Sequence, residues 1–390
     1  MSVCLLIKNA DVYAPEHLGI RDILVINDKI VKIAESVDVP CGLDYDVVDA
    51  EGQVLFPGYV DQHVHIIGGG GESGPYSRTP EVMLSDLTKA GVTTVIGVLG
   101  TDGTSRHNEA LLAKARGLEY EGITAYVLTG SYEFPVHTMT GDVRRDIILI
   151  DKVIGVGELA LSDHRSSEPT LDELKRVLTQ ARLGGMLSGK AGVVQFHMGV
   201  GTAGIEPLLQ ILQASEIPAK HFIPTHVNRA VHLFEQAKSL AAQGGYMDIT
   251  SGIRTCDGFE NCIEPAEAIK RCWQEGVPMS QVTMSSDGNG CMSVMLADGS
   301  ARQLAVPMRS LHEEVHNSIL LGVPLEVAAA VVTANPAKAN GLWPQKGHIA
   351  EGCDADFVML DKEYLIDTVI AKGRIVVAAG EAVVRGTFEK

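Results

Sequence analysis

The sequence predicts an α/β protein: a barrel of eight parallel strands, each followed by a helix, with a smaller β-domain built from both ends of the chain. Eight short apolar segments alternate with helical stretches across residues 58–344. Residues 1–57 and 345–390 carry short strand patterns instead. Histidines and carboxylates fall where the apolar segments end, which is where barrels of this kind carry their active sites.

The two ends of the chain resemble each other in pattern. Val3–Val12 is an apolar strand, and Asp22–Ala34 alternates around Asn27-Asp28, which is typical of a hairpin turn. Three further strands are predicted near the other end, at Asp356–Leu360, Leu365–Ala371 and Arg374–Ala378. We therefore predict one domain from residues 1–57 and 345–390, and a second from residues 58–344.

In the middle of the chain, predicted strands alternate with predicted helices, which is typical of a parallel barrel. The predicted barrel strands are Tyr59–His65, Thr93–Leu99, Ala125–Thr129, Val153–Leu161, Val193–His197, Phe222–His226, Tyr246–Thr250 and Val282–Asp287. Helices are predicted between them, for example at Pro80–Ala90, Leu171–Arg182, Ile205–Gln213 and Val231–Gln243. A doubly wound open sheet is the alternative, but it would need fewer strands and a glycine-rich turn after the first one.

Composition limits the function classes. The chain has 32 Lys and Arg against 49 Asp and Glu, a formal net charge of −17, which disfavours nucleic acid and anionic membranes as partners. Its seven cysteines are odd in number and form no C-x-x-C pair, as expected of a reduced protein. We see no signal peptide and no apolar stretch near the ~20 residues of a membrane span. We expect a cytoplasmic protein.

Six side chains at predicted strand ends have the chemistry of metal ligands. His63 and His65 share one face of the first strand, because residues two apart on a strand point the same way. The other four lie on later strands: Glu158, His197, His226 and Asp287. Nitrogen and oxygen ligands without a thiolate suit zinc, and also manganese, cobalt or nickel. Two ions sharing a carboxylate and a hydroxide would supply a nucleophile near neutral pH, with Asp287 passing a proton to the leaving amine.

These residues, in this order, resemble the ligand pattern of the metal-dependent amidohydrolase superfamily. The sequence around them resembles the isoaspartyl dipeptidase (β-aspartyl peptidase) family over nearly the whole chain. The matching segments are Pro57–His65, Gly68–Glu72, Leu99–Asp102, Thr129–Tyr132, Ser162–Arg165, Phe196–Gly199, Pro224–Arg229, Ser285–Gly290 and Gly386–Glu389. The resemblance implies a TIM-like barrel with a small β-sandwich domain, two zinc ions (Zn²⁺) per subunit and a homo-oligomer as large as an octamer. It also implies a substrate, a dipeptide in which aspartate is linked through its β-carboxyl group.

The remaining candidate residues suit that substrate. Glu72 follows a run of four glycines that includes Gly70, and it can pair with the α-ammonium group. Arg165 and Arg229 can bind carboxylates in a bidentate manner, and the substrate offers two. Tyr132 can donate to the developing oxyanion, and Thr101 can add a polar contact. No GK[ST] follows the glycines, so they do not form a phosphate loop.

The chain departs from the family pattern in three places. Glu158 stands where the family carries a carboxylated lysine, with one extra residue just upstream, and Lys152 is too far along the strand to replace it. Cys291 stands where a serine is typical near the substrate, and a thiol is the weaker donor. The loop Arg254–Ile263, with Cys256 and Cys262, is longer than expected, and we interpret it as a surface insertion.

Three functions remain open from the sequence. The first is an isoaspartyl dipeptidase. The second is another amidohydrolase, either a cyclic amidase of the dihydroorotase or hydantoinase type or an amino-sugar-phosphate deacetylase. The third is a barrel that has lost its metals and its activity. The charged set Glu72, Arg165 and Arg229 favours the first, because it matches a zwitterion with an additional carboxylate.

Overall fold

A computed structural model describes residues 4–39, 42, 44–295 and 301–390. The chain begins with five strands: β1 (Cys4–Tyr13), β2 (His17–Ile26), β3 (Lys29–Ala34), β4 (Tyr45–Asp49) and β5 (Val54–Pro57). The predicted hairpin is confirmed: β2 and β3 pair antiparallel, and Asn27 adopts the positive φ of 54° that the turn requires.

Eight further strands form a closed barrel. They are β6 (Tyr59–Val64), β7 (Val92–Gly97), β8 (Thr124–Thr129), β9 (Val153–Leu161), β10 (Val193–Met198), β11 (Phe222–Thr225), β12 (Met247–Thr250) and β13 (Val282–Ser285). Strands β6 to β11 pair in one parallel sheet, and β12 pairs with β13. The amide of Tyr246 donates to the carbonyl of Phe222 at 3.1 Å, and the amide of His65 donates to the carbonyl of Gly288 at 2.9 Å. These two hydrogen bonds join the two sheets at both edges and close the barrel. The predicted barrel of eight strands is confirmed, so the alternative of an open sheet is wrong.

Helices alternate with the barrel strands and complete the chain. They are α1 (Leu84–Thr88), α2 (Asn108–Glu121), α3 (Val143–Leu149), α4 (Leu171–Ser188), α5 (Glu206–Gln213), α6 (Val231–Ala241), α7 (Pro265–Gln274), α8 (Ser310–Leu320), α9 (Leu325–Ala330) and α10 (Ala334–Ala339). In α4, Thr170 and Glu173 form a capping box at the start, and Gly189 ends the helix in the left-handed conformation. Local sequence therefore sets both ends of this helix. No described helix has both the length and the apolarity to span a membrane.

The last strands are β14 (Cys291–Met295) and β15 (Ala301–Ala305), which form a hairpin, and β16 (Phe357–Leu360), β17 (Ile366–Ala371), β18 (Arg374–Ala378) and β19 (Glu381–Ala382). Strand β16 pairs antiparallel with β5, which joins the two ends of the chain in one nine-stranded sheet. Ile7, Ile23 and Phe357 are buried in its own apolar core. A sheet domain built from both termini is thus confirmed, while its boundaries at residues 57 and 345 stay a prediction.

A polar layer fills the barrel interior around one buried carboxylate. Asp248 on β12 accepts hydrogen bonds from Gln62 at 2.7 Å, Thr225 at 2.7 Å, Thr283 at 2.7 Å and Ser285 at 2.5 Å. The donors come from β6, β11 and β13, so the carboxylate ties neighbouring strands together. A fully satisfied buried network of this kind is rigid.

Candidate metal centre and substrate cavity

The six predicted ligands meet at the carboxyl end of the barrel. Each lies on, or within two residues of, the end of its strand: His63 and His65 at β6, Glu158 on β9, His197 on β10, His226 after β11 and Asp287 after β13. His226 and Asp287 adopt positive φ angles of 63° and 56°, which are uncommon outside glycine. Such conformations cluster at functional sites, where the surrounding structure holds them in place.

The Glu158 carboxylate lies at the centre of four imidazoles. Its Oε1 atom is 3.4 Å from His63 Nε2 and 3.6 Å from His65 Nε2. Its Oε2 atom is 3.2 Å from His197 Nδ1 and 3.5 Å from His226 Nε2. The two oxygens therefore face different histidine pairs, which is the arrangement of a carboxylate that can bridge two cation positions.

Asp287 lies beside the first histidine pair. Its Oδ1 atom is 3.1 Å from His65 Nε2 and 3.6 Å from His63 Nε2. Two overlapping groups of ligand atoms, each within 4.8 Å of one another, result: His63 with Glu158 and His226, and His63 with His65 and Asp287. Two neighbouring cation positions are consistent with this geometry.

Several buried atoms of the cluster have no hydrogen-bond partner among the described residues. They are His63 Nε2, His65 Nδ1, His226 Nε2 and Glu158 Oε1. Buried polar atoms are nearly always satisfied, and each exception calls for an explanation. Imidazole nitrogens and a carboxylate oxygen left without partners in one place are the donor set of a divalent metal ion, so the residues present fit such an ion.

Two side chains behind the cluster orient its histidines, and sequence reasoning missed both. Gln195 Nε2 donates to the carbonyl of Gln62 at 3.3 Å, so its Oε1 atom faces His63 Nδ1 at 2.9 Å. An amide oxygen only accepts, so Nδ1 donates to it and Nε2 is the nitrogen that faces the Glu158 carboxylate. Thr250 Oγ1 lies 2.8 Å from His226 Nδ1 and restrains the orientation of that ring.

A bulge in β9 aims Glu158. Between Val156 and Leu159 this strand has one residue more than β10 has between Val194 and Phe196. A β-bulge of this kind redirects a side chain, which accounts for the extra residue noted in the sequence. Lys152 precedes the strand, where its Nζ atom is 2.5 Å from Glu119 Oε1, so it is paired away from the cluster.

Charge and burial set the protonation of the cluster. Burial opposes the charged form of His63, but the Glu158 and Asp287 carboxylates raise the pKa of His63 to about 10. Burial dominates at His226 and lowers its pKa to about 3. Burial also acts to raise the pKa of both carboxylates, yet the surrounding histidines hold both pKa values below the ordinary range. Both carboxylates are therefore ionised near neutral pH, as cation binding requires.

A cavity of about 710 Å³ opens over the cluster. Its charged lining comprises Glu72, Asp163, Arg165, Arg229, Glu260 and Asp287, and Cys291 lies beside them. The sequence placed all of these at the site except Asp163 and Glu260. Gly70 contacts this wall: its φ is +73°, and a Cβ atom there would lie 2.5 Å from the Cβ of Cys291. Only glycine fits at this position.

The two arginines of the cavity differ in their partners. Arg165 donates to both oxygens of Asp163 at 2.8 Å and to Glu72 at 3.0 Å. Arg229 Nη1 donates to the carbonyl of Met198 at 3.1 Å and also lies 3.1 Å from His197 Nε2, while its Nε atom has no partner in the described parts of the chain. No ion pair between Arg229 and a described carboxylate is present. Arg229 is thus the cation of this cavity that is left to meet an anionic ligand.

Asp163 is a third residue that sequence reasoning missed. Besides binding Arg165, its Oδ2 atom is 3.1 Å from His197 Nε2. Burial opposes its charge, but Arg165 and His197 hold its pKa far below the ordinary range. The available signal was its place two residues before Arg165 in the Ser-Asp-His-Arg segment.

Tyr132 lies beside His197 of the cluster, and Thr101 follows Gly100, where an added Cβ atom would lie 2.9 Å from His65. The Tyr132 hydroxyl is buried and lies 2.7 Å from His197 Nδ1. Burial raises its pKa well above the ordinary value, so it stays a hydrogen-bond donor. The Thr101 hydroxyl is buried, with no partner among the described residues. The Cys291 thiol lies 3.1 Å from Gln303 Oε1, and burial raises its pKa.

The 254–263 loop is more than a surface insertion. Its residues are largely exposed, as expected, but Gly258 to Asn261 also form one wall of the cavity. The Phe259 ring centre lies 5.9 Å from the guanidinium carbon of Arg229. Sequence pattern alone carried no signal for this contact.

Comparisons with known proteins agree with this geometry. The profile of the Amidohydrolase family matches residues 54–376. A crystal structure of β-aspartyl dipeptidase from Fervidobacterium islandicum AW-1, in complex with the β-Asp-Leu dipeptide, is 42% identical, covers 98% of each chain and has a TM-score of 0.91. D-hydantoinase from Thermus sp. shares the fold at 18% identity, with coverage of 99% and 98% and a TM-score of 0.68. Allantoinase from Deinococcus radiodurans is 23% identical over 95% of this chain and 89% of its own.

Proposed function

The chain belongs to the amidohydrolase family, and we propose that it is a metal-dependent hydrolase of β-aspartyl dipeptides. One observation carries the proposal: Glu158 and its four histidines lie beneath a cavity whose lining combines an acidic residue, a paired arginine and an unpaired arginine. A β-aspartyl dipeptide offers one ammonium group and two carboxylates to such a lining. The similar β-aspartyl dipeptidase, at 42% identity, supports the assignment.

We propose zinc as the metal, at two ions per subunit, held by His63, His65, Glu158, His197, His226 and Asp287. Manganese, cobalt and nickel suit the same ligands. A bound divalent ion would polarise the scissile carbonyl and lower the pKa of water. Glu158 can serve where related enzymes use a carboxylated lysine, because both are bidentate anions and the bulge in β9 adjusts the reach of the shorter side chain.

We propose a place in the cavity for each charged group of the substrate. Glu72 and Arg165 lie within 3.0 Å of each other, so they match an ammonium and a carboxylate on the same carbon, the α-carbon of the β-linked aspartate. Arg229 is then left for the carboxylate of the leaving residue. Tyr132 would donate to the carbonyl oxygen as negative charge develops there.

Three residues would complete the contacts. Thr101 offers a buried hydroxyl without a partner among the described residues, and Cys291 offers a thiol beside Glu72. Gly70 lets the backbone come close to that thiol, and so to a ligand at the same wall. A thiol donates more weakly than a hydroxyl, so its contribution to binding should be small.

Asp287 would move the proton that hydrolysis requires. Its Oδ1 atom faces the histidine pair and its side chain also lines the cavity. Being ionised, it can accept a proton from the attacking water at a carboxylate oxygen and deliver it to the nitrogen of the leaving amine. The amine then departs in its neutral form.

The deciding experiment compares β-Asp-Leu with α-Asp-Leu as substrates of the zinc-loaded protein. We expect hydrolysis of the β-linked peptide alone. Glu158→Gln and Asp287→Asn serve as matched variants, because each removes one charge at nearly constant volume and should abolish turnover. If neither peptide is hydrolysed while metal is bound, the dipeptidase assignment is wrong, and hydantoins, dihydroorotate and acetylated amino sugars become the substrates to test.

We also propose a homo-oligomer, as large as an octamer by resemblance to the family, which light scattering on the purified protein would check. The cytoplasmic location and the absence of nucleic-acid and membrane partners stay predictions.

A further inference from the structure

The cavity over the cluster has apolar as well as charged lining. Its charged lining includes Glu72, Arg165 and Asp287, and also Glu260 on the 254–263 loop. Its apolar side chains are Ile253, Phe259, Met292 and Val306. Ile253, Met292 and Val306 are buried, and Phe259 is half-buried with its ring at the cavity wall. Glu72 and Arg165 are assigned to the aspartyl group, whereas the apolar side chains have no role in the proposed reaction so far.

Phe259 is held firmly in place by the 254–263 loop. Arg254 forms ion pairs with Asp257 at 2.7 Å and Glu313 at 2.9 Å, which fixes the start of the loop. The amide of Phe259 donates to the carbonyl of Arg254 at 3.3 Å, and the carbonyl of Phe259 accepts from Cys262 at 3.1 Å.

The far end of the loop is fixed next to Arg229. The amide of Ile263 donates to the carbonyl of Asn228 at 2.8 Å. The Asn228 side chain donates to the carbonyl of Ile263 at 3.2 Å. A wall anchored in this way can discriminate between ligands, because little of it must be ordered on binding.

Because Phe259 lies close to Arg229, its ring can contact the side chain of the leaving residue. An amino acid carries its carboxylate and its side chain on one carbon, so a leaving residue whose carboxylate binds Arg229 must place its side chain nearby. The Phe259 ring centre is 5.9 Å from the Arg229 guanidinium carbon. Ile253 lies in the same wall.

We infer that the 254–263 loop selects the leaving residue, and that Phe259, with Ile253, favours dipeptides whose leaving residue has an aliphatic side chain. This inference rests on the proposed function and deepens it. Burial of aliphatic surface against the ring favours leucine, whereas glycine leaves the ring uncovered.

The test is a substrate series on the zinc-loaded enzyme: β-Asp-Leu, β-Asp-Gly and β-Asp-Lys, compared by kcat/KM. For the unmodified chain we expect β-Asp-Leu to exceed β-Asp-Gly by about tenfold or more, and to exceed β-Asp-Lys by less, because Glu260 next to Phe259 can pair with the lysine ammonium. Phe259→Ala should reduce the preference for leucine over glycine to about threefold or less, and Phe259→Leu should restore most of it. Cys256→Ser changes an exposed residue of the same loop that does not line the cavity, and it should leave the preference unchanged.

The outcomes separate this inference from the proposed function. Hydrolysis of all three peptides at similar kcat/KM would overturn the inference and leave the dipeptidase in place. A Phe259→Ala variant that slows all three equally would also overturn it, because Phe259 would then act through Arg229 or the fold. If no β-aspartyl peptide is hydrolysed, the proposed function is wrong and the inference with it.

Discussion

Replacing Arg229 with methionine is expected to make the protein more stable and nearly inactive. The guanidinium is confined in the cavity wall, and among the described residues its Nε atom has no partner and no carboxylate pairs with it. Burial lowers the pKa of Arg229 although Tyr132 and Asp287 act to raise it, so desolvation opposes the positive charge. Methionine fills a similar volume with no charge, and it can pack against Phe259.

The size of the expected stabilisation follows from the contacts that Arg229 makes and those that it lacks. An unpaired charge in a dry interior costs several kcal/mol, but this one keeps a carbonyl acceptor and faces a cavity open to water, so we expect a gain of about 1–2 kcal/mol. At about 2.1 cal/mol/K per residue, a chain of 390 residues has an unfolding entropy of about 0.8 kcal/mol/K. The unfolding midpoint should therefore rise by about 1–2 °C.

The same change should remove the binding of one substrate carboxylate. Hydrogen bonds to charged groups contribute about 1.5–3 kcal/mol, and a desolvated carboxylate left without a cation costs more. A loss of about 3–4 kcal/mol in total lowers kcat/KM on β-Asp-Leu by about 10² to 10³-fold.

Arg165→Met is the matched variant, because this arginine has the partners that Arg229 lacks. Its loss leaves Asp163, whose side chain is 6% exposed, without its bidentate cation, and leaves Glu72 unpaired. We expect a destabilisation of about 2–4 kcal/mol and a similar loss of activity. Both substitutions should thus lower activity, but Arg229→Met should stabilise the fold and Arg165→Met should destabilise it.

The assay combines thermal unfolding at matched metal content with steady-state kinetics on β-Asp-Leu. A lowered midpoint for Arg229→Met would refute the reasoning, because it would mean that the guanidinium stabilises the free protein. A shift of the same sign in both variants would refute it as well.

Three further predictions concern the residues around the site and one distant histidine. Gln195→Leu removes the partner of His63 Nδ1, and chelator competition should show metal affinity reduced about 10–100-fold. Asp163→Asn weakens the hold on Arg165, so KM for β-Asp-Leu should rise about tenfold while kcat changes less. His312 is buried with its pKa lowered by that burial from 6.5 to about 4, so the unfolded chain takes up the proton first. Its stabilising contribution of about 3 kcal/mol is complete above pH 6.5 and is lost as the pH falls toward 4. His312→Gln should flatten the fall in unfolding free energy across that interval, as measured by denaturant titration.

Each of these has an outcome that contradicts it. Unchanged metal affinity in Gln195→Leu would show that the amide does not orient His63. A fall in kcat without a rise in KM for Asp163→Asn would place its action at His197 instead of Arg165. Parallel pH profiles for His312→Gln and the unmodified chain would show that another group governs stability in this range.

Much of the fold could be predicted because its signals are local. The eight barrel strands begin and end within two residues of their predicted bounds, since apolar alternation and flanking turns are properties of short segments. Helix α1 was predicted as Pro80–Ala90 and covers only Leu84–Thr88. Just before it the chain is extended, and the amide of Val82 donates to the carbonyl of Ile66 at 3.1 Å. That tertiary contact outweighs local helical pattern.

The six candidate metal ligands could also be predicted from local sequence. Parallel strands end at one rim of a barrel, so residues at strand ends meet there whatever the loops do. The four imidazoles that contact Glu158 follow from that rule alone.

What lies around those ligands was decided by the tertiary structure. The orientation of His63 depends on Gln195, which is 132 positions away in the chain. Three features depend on distances between loops that follow different strands. They are the pairing of Arg165, the absence of a described carboxylate beside Arg229, and the contact of Phe259 with Arg229. By itself the sequence determined which residues reach the rim of the barrel, because strand periodicity is local. Only the closed barrel decided which charges neutralise each other and which remain for a substrate, because electrostatic pairing depends on distance in space.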